Sequence, residues 1–177
     1  MRWSKLKSSL DDLRAPALRG RVALNQARYR YTREEVGRIW ITVDGREVAS
    51  FDTSTYVRRR AELGDDLFEI RRTETPGRAP DHATYLEADN RAREILRRAG
   101  QYDDYEALVD LEAYLSLPIE EALASPSPLV RALAVIDRRV GKRRLRALRI
   151  GRVEHPLVRE LYRLRCEAEG VDLSPTP

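Results

Sequence analysis

The stretch "RIWITVDGREVASF", residues 38–51, decides the fold. β-Branched and aromatic residues run on both sides of Asp44-Gly45, a dipeptide suited to the positive φ angles of a two-residue hairpin turn. With that turn in place, Val43 is expected to pair with Arg46, Ile41 with Val48 and Trp40 with Ala49. Side chains alternate along a strand, so Ile39, Ile41, Val43 and Val48 share one face and Trp40, Ala49 and Phe51 the other. Just upstream, "RVALNQARYRY" has the same strand-like composition. The expected unit is a three-stranded antiparallel meander over roughly 21–31, 38–43 and 46–52.

On either side of the meander the apolar period becomes helical. Trp3, Leu6, Leu10 and Leu13 recur three and four apart, and Pro16 stops that helix. Both sheet faces carry apolar groups, so the first helix is expected to cover one and the helical half the other. Downstream, Tyr56, Leu63, Leu67 and Ile70 are in phase, with Gly64 weakening the middle. "TETPGRAP", residues 73–80, reads as a loop and as the internal boundary. Asp81 is placed to cap the next helix, whose inner face is Tyr85, Ala88, Ala92, Ile95 and Ala99, closed by Gly100.

A helix over roughly 102–116 and a short one over roughly 118–124 precede "SPSP". There Ser127 can cap and Pro128 takes the first helical position, ahead of the stripe Leu129, Leu133, Ile136 and Val140. Gly141 breaks that run, Leu145 and Leu148 continue it, and Leu157, Leu161 and Leu164 mark a last helix from Pro156 to Gly170. The predicted class is α+β: an N-terminal helix plus a three-stranded antiparallel meander, followed by an all-helical C-terminal half. Residues 1–72 and 81–170 form two subdomains of one compact domain, and 171–177 a flexible tail.

Charge is where the sequence points to function. Basic residues number 33 against 29 acids, net +4, and charged residues make up 35% of the chain against a typical level of about 25%. Lysine occurs only at Lys5, Lys7 and Lys142, so placement of the arginines says more than their number. After Asp137, the run to residue 152 holds Arg138, Arg139, Lys142, Arg143, Arg144, Arg146, Arg149 and Arg152 without an acid. Cations so clustered suit the phosphates of nucleic acid or another polyanion. The segment 101–124 is the opposite, with seven acids and no base, which offers the arginines an internal use and an acidic partner segment a use of its own. The aromatic strand face, Tyr29, Tyr31 and Trp40 among arginines, suits base stacking if left open. Packing of the first helix over those rings is the expected arrangement.

Other chemistry has little behind it. Cys166 is the sole cysteine, and with His82 and His155 it is too scattered for a zinc-ligand spacing; no metal or cofactor is expected. The acid pairs Asp65-Asp66, Asp103-Asp104 and Glu120-Glu121 lack a nearby histidine or phosphate loop, and neighbours on a helix diverge by about 100°. Asp81, ahead of His82 and Thr84, is better placed as a cap than as a base, and His155 before Pro156 likewise. No nucleophile elbow, Walker loop or dinucleotide fingerprint occurs, so the reading leans away from an enzyme. No stretch approaches the roughly 18 apolar residues of a membrane span, and the opening is not a leader, so a cytoplasmic protein is expected.

The blocks "MRWSKLK", "LRGRV", "WITVDGREV", "LASPSPLVRALAVIDRRVGKRRL" and "HPLVRELYRLRCEAEG" together resemble those of a family of small uncharacterised bacterial cytosolic proteins. The resemblance spans nearly the whole chain and implies one indivisible domain, with no activity and no catalytic residues to carry over. It also implies that "DRRVGKRRL" is a feature of the family, as a binding edge or as an internal latch. The expected function is that of a non-catalytic binding protein for nucleic acid or another polyanion. The alternative is a protein-interaction module of regulatory or immunity type, and a third reading is an enzyme whose groups converge from distant segments.

Overall fold

A computed structural model describes residues 1–29, 36–74 and 82–172. The order is α1 (Trp3–Leu13), a 3-10 turn (Pro16–Leu18), β1 (Val22–Tyr29), β2 (Val36–Val43), β3 (Arg46–Asp52), α2 (Thr53–Glu74), α3 (His82–Arg98), α4 (Asp104–Tyr114), α5 (Ile119–Leu123), α6 (Pro128–Val135), α7 (Lys142–Ala147) and α8 (Pro156–Glu169). The α+β class and the antiparallel order β1-β2-β3 are as the sequence predicts. The expected helix cap at Asp81, most of the 73–80 loop and the C-terminal tail beyond Asp172 lie outside the described residues.

The hairpin forms at Asp44-Gly45, both with positive φ, and Val43 does pair with Arg46. Beyond that pair the register departs from the expectation. Thr42 faces Glu47, but Ile41 faces Ala49 and Trp40 faces Ser50, which leaves Val48 as the extra residue of a bulge. One inserted residue turns every later side chain over. Ala49 and Phe51 therefore join Ile39, Ile41 and Val43 on the core side, where Phe51 is buried, and the opposite side carries Trp40, Arg38 and Thr42.

A single buried cluster joins this inner face to the helices, running from Leu6 and Leu10 of α1 through Val22, Leu24, Ile39 and Ile41 to Leu111, Leu129 and Leu161. Two helical phases differ from the prediction. In α2 the buried residues are Tyr56 and Gly64, while Ile70 is 53% exposed. In α3 they are Ala88, Ala92 and Leu96, with Tyr85 and Ile95 turned outward. Both follow from one cause: α3 packs chiefly on α2, so each helix has a narrow stripe to bury. Arg60 pairs with Asp89 at 2.6 Å and Phe68 meets Tyr85 edge-on at 6.0 Å across that seam.

The sheet meets α4 at Gly37. A Cβ there would stand 2.0 Å from Asp104 Oδ2 and 2.8 Å from its Cγ, so the Asp104 carboxylate occupies the space a side chain would need. That carboxylate also accepts a short hydrogen bond from the Thr53 hydroxyl at the start of α2. Gly37→Ala is expected to destabilise the fold by about 1–3 kcal/mol through overpacking. In an Asp104→Ala background most of that loss should vanish, which a double-mutant cycle by urea denaturation measures.

Candidate cationic interface

Why the basic block sits where it does begins with Asp137, whose side chain is fully buried. A buried carboxylate is tolerable only if donors surround it. Tyr114 donates its hydroxyl to Oδ2, the Arg139 guanidinium donates from Nε and Nη2 at 2.8–3.1 Å, and the Arg139 backbone N–H donates to Oδ1 at 2.7 Å. Burial, and then the bond to Asp137, hold the Tyr114 phenol well above its ordinary pKa, so it stays a donor. Arg165, itself buried, donates to the carbonyls of Ile136, Asp137 and Val140 at 3.0–3.3 Å and pairs with Glu169 at 2.9 Å.

The backbone at this point is also tied to the end of α1. Ala15 N–H donates to Ile136 O and Arg138 N–H to Leu13 O, an isolated antiparallel bridge between Arg14 and Asp137. The turn that starts the basic run is therefore fixed from α1, α4 and α8 together.

From that anchor the eight cations divide. Arg139 turns inward, over the Tyr114 ring at 5.7 Å and onto Leu117 O at 3.0 Å. Lys142 donates to Glu169 O at 2.9 Å near the end of α8, and Arg144 pairs with Glu120 at 2.5 Å. Arg138, Arg143, Arg146, Arg149 and Arg152 are all exposed and, among the described residues, make no side-chain hydrogen bond or ion pair. The only ion pair between the 101–124 acids and the 138–152 cations is Arg144 with Glu120. Several of the other acids are used elsewhere: Asp103 caps α4 through Glu106 N–H, Asp110 pairs with Arg97 at 2.7 Å and accepts from Ser127, and Glu112 meets the N-terminal ammonium.

The aromatic face is partly as read. Tyr29 and Trp40 lie on the same outward side of the sheet, four pairs apart in register, and Tyr31 lies outside the described residues. The first helix does not blanket the rings. Tyr29 is 46% exposed, and the neighbour over Trp40 is the Arg38 guanidinium at 5.1 Å, itself held by Ser50 and Glu47.

His155, Cys166 and the acid pairs have structural positions. His155 Nδ1 accepts the Leu157 N–H as the cap of α8, while Nε2 donates to Ala99 O at 3.1 Å. Gly100 is required beside it, since a Cβ there would come within 2.5 Å of Nε2 and its φ is +69°. Cys166 is buried, and burial pushes its thiol up. Two buried atoms lack partners at the junction of α2 and α4, the Tyr56 hydroxyl and Glu106 Oε2, and burial favours the protonated form of both groups. Nothing in the sequence pattern singles out that junction.

Two expectations follow. Removing the buried carboxylate with Asp137→Ala leaves the Arg139 guanidinium and the Tyr114 phenol without their acceptor, and is expected to cost about 3–5 kcal/mol in guanidinium denaturation. The second concerns His155. Burial lowers its pKa from 6.5, so the unfolded chain binds the extra proton. The stability contributed by the neutral ring is complete above about pH 6.5 and is lost as pH falls toward the folded value. Melting temperatures between about pH 7.5 and 5.5 should drop for the wild type and vary less for His155→Asn, which keeps a cap acceptor.

One family model, that of the SF0329 protein family, matches residues 2–166. No curated protein and no solved structure matches the chain.

Proposed function

The chain belongs to the SF0329 protein family, and we propose that it acts in the bacterial cytosol as a non-catalytic protein that binds nucleic acid or another polyanion through the edge formed by residues 138–152. The observation that carries this reading is the division of the eight cations. Three are engaged by the fold, and five, Arg138, Arg143, Arg146, Arg149 and Arg152, stand open with no counter-ion among the described residues. Seven acids lie nearby in sequence, yet the fold directs one of them to this edge. Arginine forks pair well with phosphate oxygens, and each neutralised phosphate releases condensed counterions.

Five such contacts correspond to a log–log salt slope of about −3.5 on single strands or −4.5 on duplex DNA. Arg143 and Arg146 share a face of α7, three positions apart, and neither supports the fold. Arg143→Glu with Arg146→Glu should leave the melting temperature nearly unchanged, weaken retention on heparin and on an oligonucleotide by about tenfold or more, and flatten the slope by about 1.5–2. Unchanged retention by that folded variant would overturn the reading.

A second reading, a protein-interaction module, is favoured by one observation. Val57, Ile70, Tyr85, Leu86 and Ile95, all on the paired helices α2 and α3, are among the large apolar side chains most open to water. The acidic 101–124 segment gives that reading less support, because several of its acids are engaged within the fold.

A further inference from the structure

A cleft of about 430 Å³ lies between the start of β3 and the first turns of α8. Arg46, Glu47 and Val48 form one wall; Pro156, Leu157, Arg159, Glu160 and Arg163 form the other. Its volume falls within the range of about 300–1,000 Å³ typical of small-molecule sites.

The charges on its walls are unequal and partly spoken for. Glu160 is shared by Arg46 at 2.7 Å and Arg163 at 3.2 Å, and Glu47 is held by Arg38 at 2.5 Å. Arg159, exposed on the same side of α8 and one turn before Arg163, makes no ion pair among the described residues. Three guanidinium groups therefore stand against two acids that already have partners. Between them Val48, Pro156 and Leu157 supply an apolar surface.

We propose that this cleft holds a nucleoside phosphate unit, with the phosphate on Arg159 and within reach of Arg46 and Arg163, and the ring system against Val48, Pro156 and Leu157. Planar guanidinium forks match phosphate oxygens two at a time, and a planar ring fits an apolar wall that a bare anion would leave unused. Glu160 fixes Arg46 and Arg163 in the empty cleft, so the donors are in place before the ligand arrives. The proposal rests on the polyanion reading for its biological setting but not for its chemistry: the unit is the same whether it comes as a free nucleotide or within a strand.

Methyl proton–carbon spectra test it with adenosine 5′-monophosphate as the probe. The Val48 and Leu157 methyl signals should move saturably at millimolar concentrations, and inorganic phosphate should move them less. Arg159→Glu, a change at an exposed position, should raise the midpoint by about tenfold or more. No movement at about 10 mM nucleotide, or equal movement with inorganic phosphate, overturns the proposal.

Fluorescence anisotropy with a labelled oligothymidine separates the two sources. Loss of binding in both Arg159→Glu and the Arg143→Glu, Arg146→Glu variant, with competition by the mononucleotide, places a strand in the cleft. Loss in the second variant alone overturns the cleft proposal and leaves the function reading standing. Methyl shifts with the mononucleotide but no oligonucleotide binding at all support a free-nucleotide site and overturn the function reading.

Discussion

The buried Asp137 carboxylate is the constraint on which the rest of this structure depends. Taken out of water, it demands hydrogen-bond donors from every side, and those donors come from α4 through Tyr114 and from its own turn through Arg139. Arg165 of α8 secures the same turn through its carbonyls, and α1 is laced to it by two backbone bonds. Four segments far apart in sequence are thereby referred to one point. The turn that follows can run only one way, which sets Arg139 inside and Arg138 outside.

The same arrangement divides the block into two halves. Its first half is a latch: Asp137 and Arg139 serve the interior, and Val140 is buried. Its second half is a short helix whose one buried residue is Leu145, with Arg143 and Arg146 on the outer side. Ion pairs between exposed groups are worth only about 0–1 kcal/mol, so neutralising those arginines would gain the fold little. Their exposure costs the fold equally little, and the apolar seat of Leu145 holds them on a rigid element.

Much of the architecture is legible in the sequence because it is written in local rules. Asp44-Gly45 names its own turn, Ser127-Pro128 its own helix start, and Gly170 its own helix end, and each acts through groups a few residues apart. The bulge at Val48 is not legible, since an alternating pattern gives no sign of one extra residue and the strand's apolar groups suit either register. The same holds for α2 and α3. Ile70 and Ile95 satisfy the helical period but remain partly exposed, which only the tertiary arrangement decides. In the candidate site, the clustering of cations was plain from the sequence, but the division into engaged and open ones was not. That division depends on where Leu117, Glu120 and Glu169 come to lie. The cleft was invisible for the same reason, as Arg46 and Arg159 are brought together only by folding.

The groups that sequence alone would nominate for proton transfer or nucleophilic attack have their chemistry committed to the fold. Both ring nitrogens of His155 are occupied, one by the Leu157 N–H and the other by Ala99 O, and acceptance of the Leu157 N–H at Nδ1 requires the neutral ring. Cys166 is fully buried, so its thiolate is disfavoured. The Tyr162 hydroxyl, pushed up to about 12 chiefly by burial, donates to Leu145 O and so helps seat the cationic helix α7. Titratable groups here act as braces, and the side chains left open to visitors are guanidinium groups, which hold their proton at any physiological pH. On the proposed reading such a surface would recognise charge and shape, and its response to conditions would be a response to salt rather than to pH.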